Sequence, residues 1–274
     1  MNQAAAATSP RRYEAAQGAA ITARRRAGAA CAGALQAALL AATMLAGCGG
    51  GDTRSTTATA GAPKSAGSTL LEKGAAALQD KPPVEALNSY LDGFHFYSGQ
   101  MQRQMEAHHY CAMLGEEFIQ CVIYDGNVKD AKLMGVEYIV SERLFNGLPA
   151  AERALWHSHV HEVKSGQLVA PGIPAPAEHA LMQKLIGTYG KTFHTWQMDA
   201  HHAVPLGVPQ LMMGFTADGQ ADPAMVQSRD QRLGVASAAK RKDRQDIVAP
   251  PVAEGADAWR SAPPVQIADP TAPR

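Results

Sequence analysis

Phe118-Ile119-Gln120-Cys121-Val122-Ile123-Tyr124 is followed by Asp125-Gly126-Asn127. A few residues on comes Leu133-Met134-Gly135-Val136-Glu137-Tyr138-Ile139-Val140. The first run is rich in β-branched and aromatic residues and reads as a mostly buried strand. Asp-Gly-Asn is turn chemistry. The second run reads as the partner strand, and a period of two puts Leu133, Gly135, Glu137 and Ile139 on one face. Glu137 is the outlier, a carboxylate inside an apolar strand.

Upstream, Gly99 to Tyr110 is rich in Gln and Met, and Met101, Met105 and His109 recur every fourth residue. That spacing predicts a helix with the three side chains on one face. Downstream, Leu148-Pro149 opens a helix predicted to run to about Trp156, with Pro in the first turn and Glu152 near its positive end. Further strand signals lie at Thr192 to Met198 and Leu211 to Phe215, and Pro171 to Pro176 reads as a loop. The expectation is an α+β single domain, with a small mixed or antiparallel sheet, flanking helices and disordered tails.

The domain limits follow from composition. Residues 49–69 are mostly Gly, Ser, Thr, Ala and Pro. They hold too little apolar surface to offset chain entropy and read as a flexible tether. Residues 249–274 carry six of the 17 prolines and one aromatic, Trp259, and read as a disordered tail. The globular part is then 70–248, a common size for one domain.

Residues 1–47 read as a leader. Arg24, Arg25 and Arg26 precede an uncharged apolar run from Ala34 to Gly47. This is the layout of a secretory signal, too short and alanine-rich for a spanning helix. The run ends in Leu45-Ala46-Gly47-Cys48, the pattern of a bacterial lipobox. It predicts export, cleavage before Cys48 and lipidation of Cys48 by diacylglycerol and an acyl chain such as palmitate, which together make a stable membrane anchor. Gly49 stands where an Asp would signal retention in the inner membrane, so the expected location is the outer membrane, facing the periplasm or the exterior. Removing the leader leaves 20 basic against 24 acidic residues, so bulk charge excludes nucleic acid as a partner.

All ten histidines lie between His95 and His202, and the densest group is His157-Ser158-His159-Val160-His161-Glu162. On a strand the three imidazoles share a face. On a helix His157 and His161 do. Imidazole suits Zn, Cu, Fe and Ni, so the candidate metal ligands are His157, His159 and His161, with Glu137 as an oxygen donor or general base and His109 from the preceding segment. The alternative is that His157 and His159 pack beside Trp156 at a helix end and Glu137 pairs with a buried Lys or Arg. His-Ser-His also occurs in the zinc motif of deubiquitinase-like metalloproteases, but the Ser and Asp of that motif are replaced here by Gln167 and Ala170. No nucleophile elbow, phosphate loop or dinucleotide fingerprint is present. With Cys31 removed and Cys48 lipidated, Cys111 and Cys121 are the remaining thiols. Either they form a disulfide, as an oxidising envelope favours, or they stay as buried thiols. Lys240 to Arg244 reads as a solvated basic helix face, with contact to lipid headgroups as the alternative.

An ordered series of short words carries a resemblance over roughly Leu87 to Pro250. Among them are Leu91-Asp-Gly-Phe-His-Phe-Tyr97, His109-Tyr-Cys111, Gln120-Cys-Val-Ile-Tyr-Asp125, Gly135-Val-Glu-Tyr-Ile139, Trp156-His-Ser-His159, Tyr189-Gly-Lys191 and Thr195-Trp-Gln197. The series resembles the oil-body-associated protein family, whose plant members associate with seed lipid droplets and whose bacterial members mostly have no assigned function. The resemblance covers His109, Glu137, His157, His159 and Glu162. It implies affinity for lipid surfaces and supplies no reaction. The leader, the lipobox, both tails and His201-His202 depart from the plant pattern. Plant relatives live outside an oxidising compartment, which favours free thiols at Cys111 and Cys121. The expected function is therefore a membrane-anchored bacterial envelope lipoprotein, non-catalytic, that contacts lipid surfaces or a small ligand. The alternative is a metal-dependent enzyme built on the His cluster.

Overall fold

The computed structural model describes residues 51–268. The leader and Cys48 lie outside the described residues. Helices α1 (Ala66–Leu78) and α2 (Pro82–Glu85) precede strands β1 (Ser89–Tyr97), β2 (Gln100–Met113), β3 (Phe118–Tyr124) and β4 (Leu133–Ser141). Two short helices, α3 (Glu142–Asn146) and α4 (Ala150–Arg153), lead to the two-residue strand β5 (His157–Ser158). Then follow α5 (Val160–Ser165), α6 (Ala175–Leu185), β6 (Thr188–His194), β7 (Gln210–Met213), α7 (Pro223–Leu233) and α8 (Ser237–Asp243).

Six of the strands close a ring. The order β4-β3-β2-β1-β7-β6 is completed by pairing of β4 with β6, and every pairing is antiparallel. The β4–β6 seam runs from Gly135 opposite His194 to Ser141 opposite Thr188. This closed barrel corrects the expected small sheet with flanking helices. Local signals show hairpins, whereas closure is a pairing between segments some fifty residues apart that also removes the exposed edges an open sheet would leave. β5 adds to β6 alongside β7, placing His157 opposite Gly190.

Two predicted helices are corrected. Residues 100–113 form β2, the longest strand among the described residues, and helix α4 is a single turn that stops at Arg153. The terminal segments are corrected as well. Thr53 N–H donates to Asn127 Oδ1 at 2.7 Å and Thr57 is buried, so part of the supposed tether lies against the β3–β4 turn. In the C-terminal segment Ala253 N–H donates to Tyr189 Oη at 2.9 Å, and Trp259 stands edge-on to Phe96 with ring centroids 4.9 Å apart. Gln266 bonds the backbone of Leu211 through both amide atoms. This segment is fixed to the barrel.

Register shows what the barrel encloses. Cys111, Cys121, Glu137, Thr192 and Met212 are successive cross-strand neighbours and share the inner face. One step along runs the row Leu91, His109, Ile123, Gly135 and His194. Leu91, Cys111, Cys121 and Ile139 pack against Val163, Leu168, Met182, Leu185 and Ile186, so α5, α6 and the loop between them stop one end. Ala107, Ile123, Met134 and Met198 cluster toward the other. On the outside, Phe94, Phe96, Leu211, Met213 and Phe215 are covered by Met225 and Val226 of α7 and by Trp259. Arg229 pins α7 to β1 through the buried Asp92, with Nη1 2.5 Å from Oδ1. The basic stretch is also engaged. Lys240 pairs with Glu178, and the buried Arg244 donates to the carbonyls of Val163 and Leu168 at 3.0 and 2.8 Å. No helix among the described residues is long and apolar enough to cross a membrane.

Candidate metal centre

Glu137 points into the barrel from β4 and is buried, as are His109, His157 and His159. His109 Nε2 lies 3.0 Å from Glu137 Oε2. His157 Nε2 and His159 Nε2 each lie 3.3 Å from Oε1. Four elements deliver these groups: β2, β4, β5 and the turn that opens α5. His159 is oriented from behind by Thr188 Oγ1, 2.8 Å from its Nδ1. Such a partner fixes which imidazole nitrogen faces the site. Neither ring nitrogen of His109 or of His157 has an aligned hydrogen bond, so their approach to the carboxylate is close without being hydrogen-bonded.

Three further groups enclose this core. His95 Nδ1 is 3.2 Å from His194 Nε2, and the His95 ring meets that of His109 edge-on at 4.9 Å. Glu162 reaches in from α5, with Oε2 3.9 Å from His159 Nε2 and without a hydrogen-bond partner. Burial drives His95 well below the usual histidine range and His194 down to about 3, and in both the neighbouring His109 adds to the effect. Burial also lowers His159, against the pull of Glu137. Burial raises the Glu137 carboxyl, but His109, His157 and His159 outweigh it, so the group lies well below the usual carboxylate range. Burial raises Glu162 well above its ordinary value, with Glu137 adding repulsion. The result is a carboxylate held in its ionised form, the state in which it can ligate a metal.

The donor set fits a metal. Bonds of about 2.1 Å in tetrahedral or octahedral arrangement put ligand atoms roughly 3.0–3.4 Å apart, and the Glu137 contacts fall in that interval. His95, Glu137 and His157 each offer an atom within 4.8 Å of the others, as do His157, His159 and Glu162. Nothing cationic competes: among the described residues the ion-pair partners of Glu137 are imidazoles, and no Lys or Arg reaches it. Room for these side chains comes from glycine. A Cβ on Gly190 would overlap Glu137 Oε1 and approach His157 Cε1 and Nε2 to 2.8 Å. One on Gly214 would crowd His157 and Glu162. A cavity of about 10 Å³ adjoins the cluster, lined by His95, Glu162 and other polar groups of the cluster together with Leu91, Ile139, Leu168 and Leu185.

Of the sequence-predicted ligands, the structure gathers His109, Glu137, His157 and His159. It does not gather His161, which lies in α5 beside Lys164, Asp218 and Arg241 at the surface. Sequence reasoning missed His95 and His194, although alternation along β1 and β6 would have turned both inward. Cys111 and Cys121, opposite one another on β2 and β3, are joined by a disulfide. A second acid–imidazole group stands apart from this centre. His108 presents Nδ1 to Asp92 at 3.0 Å and Nε2 to Glu106 at 3.3 Å. Arg229 and Arg232 pair with those carboxylates, and the three groups offer ligand atoms within 4.8 Å of one another.

Comparison with known proteins places this architecture. Residues 81–248 match the family model described as protein of unknown function (DUF1264). The chain belongs to the DUF1264 family. This DUF1264 chain is 43% identical over 198 residues to oil body-associated protein 1B of Arabidopsis thaliana, covering 72% of the chain and 82% of the relative. It is 44% identical over 190 residues to oil body-associated protein 1A of Zea mays, covering 69% and 80%. Oil body-associated protein 2A of Zea mays is 42% identical over 203 residues, covering 73% and 81%. No solved structure matches. The DUF1264 match includes β1 through α8 and so contains the whole Glu137 cluster.

Proposed function

We propose that this protein is a metal-binding barrel, in which Glu137 and the imidazoles around it, His95 and His157 foremost, hold one divalent first-row transition ion and the bound ion confers the protein's activity. The carrying observation is the Glu137 carboxylate, 2% exposed, with three imidazole nitrogens within 3.3 Å and no Lys or Arg among the described residues reaching it. A buried carboxylate converging with imidazoles is a donor set that coordination to a cation satisfies. A nitrogen- and oxygen-only donor set suits Mn, Fe, Co, Ni, Cu or Zn.

The setting of this activity is a lipid surface. The relatives' name, oil body-associated protein, supports that setting. The lipobox reading supports an anchor through Cys48 in a bacterial envelope, at the outer membrane. The barrel interior is filled by side chains, so lipid contact belongs to the outside of the barrel or to the anchor. A purely non-catalytic lipid-interface role is the second reading, favoured by the same name. Elemental analysis of the purified, untagged protein separates the two. One ion per chain, lost in a His157→Ala/His159→Ala double variant that stays folded, is the expected result. A folded parent that takes up no Mn, Fe, Co, Ni, Cu or Zn overturns the metal reading and leaves the lipid one.

A further inference from the structure

We propose that Glu162 is a second carboxylate ligand to the ion, so that two carboxylates, Glu137 and Glu162, match the charge of a divalent metal inside the barrel. The proposal rests on the metal reading above and adds an anionic donor to the set of Glu137 and imidazoles. Three observations carry it.

The first is position. Glu162 lies in α5, three residues after His159, and is buried. Its Oε2 is 3.9 Å from His159 Nε2, and His157, His159 and Glu162 each offer an atom within 4.8 Å of the others. A Cβ on Gly214 would approach the Glu162 carboxyl carbon to 3.1 Å and His157 Cδ2 to 3.0 Å, so glycine there lets the two side chains lie together. Glu162 also lines the small cavity shared by Glu137, His95, His109 and His159.

The second is a missing partner. Glu162 Oε2 is buried and accepts no hydrogen bond. Buried polar atoms without partners are few in folded proteins, and one beside a group of imidazoles is satisfied by an ion that those imidazoles also bind. Glu178 of α6 makes the contrast. It is equally buried, but Lys240 and Arg244 pair with it. Among the described residues the ion-pair partner of Glu162 is His159, and no Lys or Arg reaches it.

The third is charge. An imidazole binds a metal through a deprotonated nitrogen and adds no charge. A divalent ion held by Glu137 and imidazoles alone leaves one net positive charge in a buried site, which is costly. Glu162 brings the sum to zero. The proton that burial keeps on the free Glu162 carboxyl leaves to solvent as the metal–oxygen bond forms.

The test uses the full chain, freed of metal and titrated with cobaltous ion. Affinity and the visible d–d absorption of the bound ion are read in the parent, in Glu162→Gln, which keeps the shape and removes the charge, and in Glu162→Ala. The expected result is uptake of cobalt by the parent and a shifted spectrum in Glu162→Gln, with affinity lower by about 100-fold or more, beyond the roughly 10–100-fold of a residue that only supports a ligand. Formate, a free carboxylate, should restore affinity and the parent spectrum in Glu162→Ala and leave the parent unchanged. Equal affinity and identical spectra in parent and Glu162→Gln overturn the proposal and leave the metal reading standing. Weaker binding with an unshifted spectrum and no rescue by formate overturns it as well, because Glu162 then only supports the other ligands. Where a variant does not fold, the crystal structure of the cobalt-loaded parent decides. A Glu162 oxygen at about 2.0–2.2 Å from the ion upholds the assignment, and a longer, non-bonded separation overturns it. A parent that takes up neither cobalt nor Mn, Fe, Ni, Cu or Zn removes the metal reading and this proposal with it.

Discussion

At Gly190 the absence of a side chain decides whether Glu137 and His157 can meet. The residue lies between Ile139 and His157 in the sheet, and a methyl group there would occupy the space of the carboxylate oxygen. Gly190→Ala is expected to lower metal affinity on the order of 100-fold and to cost about 1–3 kcal/mol of stability through overpacking. Isothermal titration and urea denaturation of the metal-free protein measure the two effects separately. Thr188→Ala, which removes the partner of His159 Nδ1 together with a bond to the Leu185 carbonyl, should weaken binding less, by roughly 10-fold. Asp257 supplies a pH test at the same scale. Burial pushes its carboxyl up to about 6, although the Ser158 N–H donates to it at 3.0 Å. The unfolded value is about 3.9, so between the two values the native state holds a proton that the unfolded chain releases. The stabilising contribution is thus complete below about pH 4 and is lost as pH rises through about 6, amounting to roughly 3 kcal/mol. Asp257→Asn keeps the acceptor and cannot ionise. In metal-free protein it should match the parent below pH 4 and exceed it above pH 6 by up to about 3 kcal/mol. Identical pH–stability curves for parent and variant would refute this.

At the level of elements, β2 explains both what the sequence disclosed and what it concealed. Met101, Met105 and His109 recur every four residues, and four is a full turn of helix to within a few tenths of a residue. Four is also twice the strand period, so the same spacing shares a face in either conformation. The pattern could not decide, and the pairing of β2 with β1 and β3 did. The β3–β4 hairpin was legible because turn chemistry and period two agree there, and with it came the inward placement of Glu137. His95 and His194 were concealed because each is a lone histidine in its strand, and only the pairing of both strands with β7 brings them together. The C-terminal segment was misread on composition: a chain rich in Pro and Ala lacks a core of its own but can still dock on another. Trp259 does so against Phe96, and Trp259→Ala should cost about 2 kcal/mol in urea denaturation. The Cys111–Cys121 bridge closes a short loop between β2 and β3, with ten positions of sequence separation. Its reduction should lower stability by about 3 kcal/mol on the chain-entropy account. An unchanged urea midpoint after full reduction would show that the pairing of β2 with β3 alone fixes those strands.

The whole molecule is held closed by one seam that local sequence does not encode. β4 and β6 meet over seven residue pairs, and Glu137 sits on that seam opposite Thr192. Its imidazole partners come from both sides: His109 from β2, two strands from β4 through β3, and His157 from β5, which pairs with β6. An ion held by these groups would cross-link the two sides of the barrel at the place where closure is won or lost. Without it, the raised Glu162 carboxyl opposes closure. Metal binding should therefore do more than raise global stability by mass action, which gives about 4 kcal/mol at a thousandfold excess over Kd. It should also protect the seam selectively. The expected result is slower amide hydrogen exchange across residues 135–141 and 188–194 on metal addition, with little change in the β2–β3 hairpin that the disulfide already holds. Uniform slowing across the barrel would mean that the ion stabilises the fold as a whole without clamping the seam. Protection confined to β5 and α5 would place the ion away from Glu137.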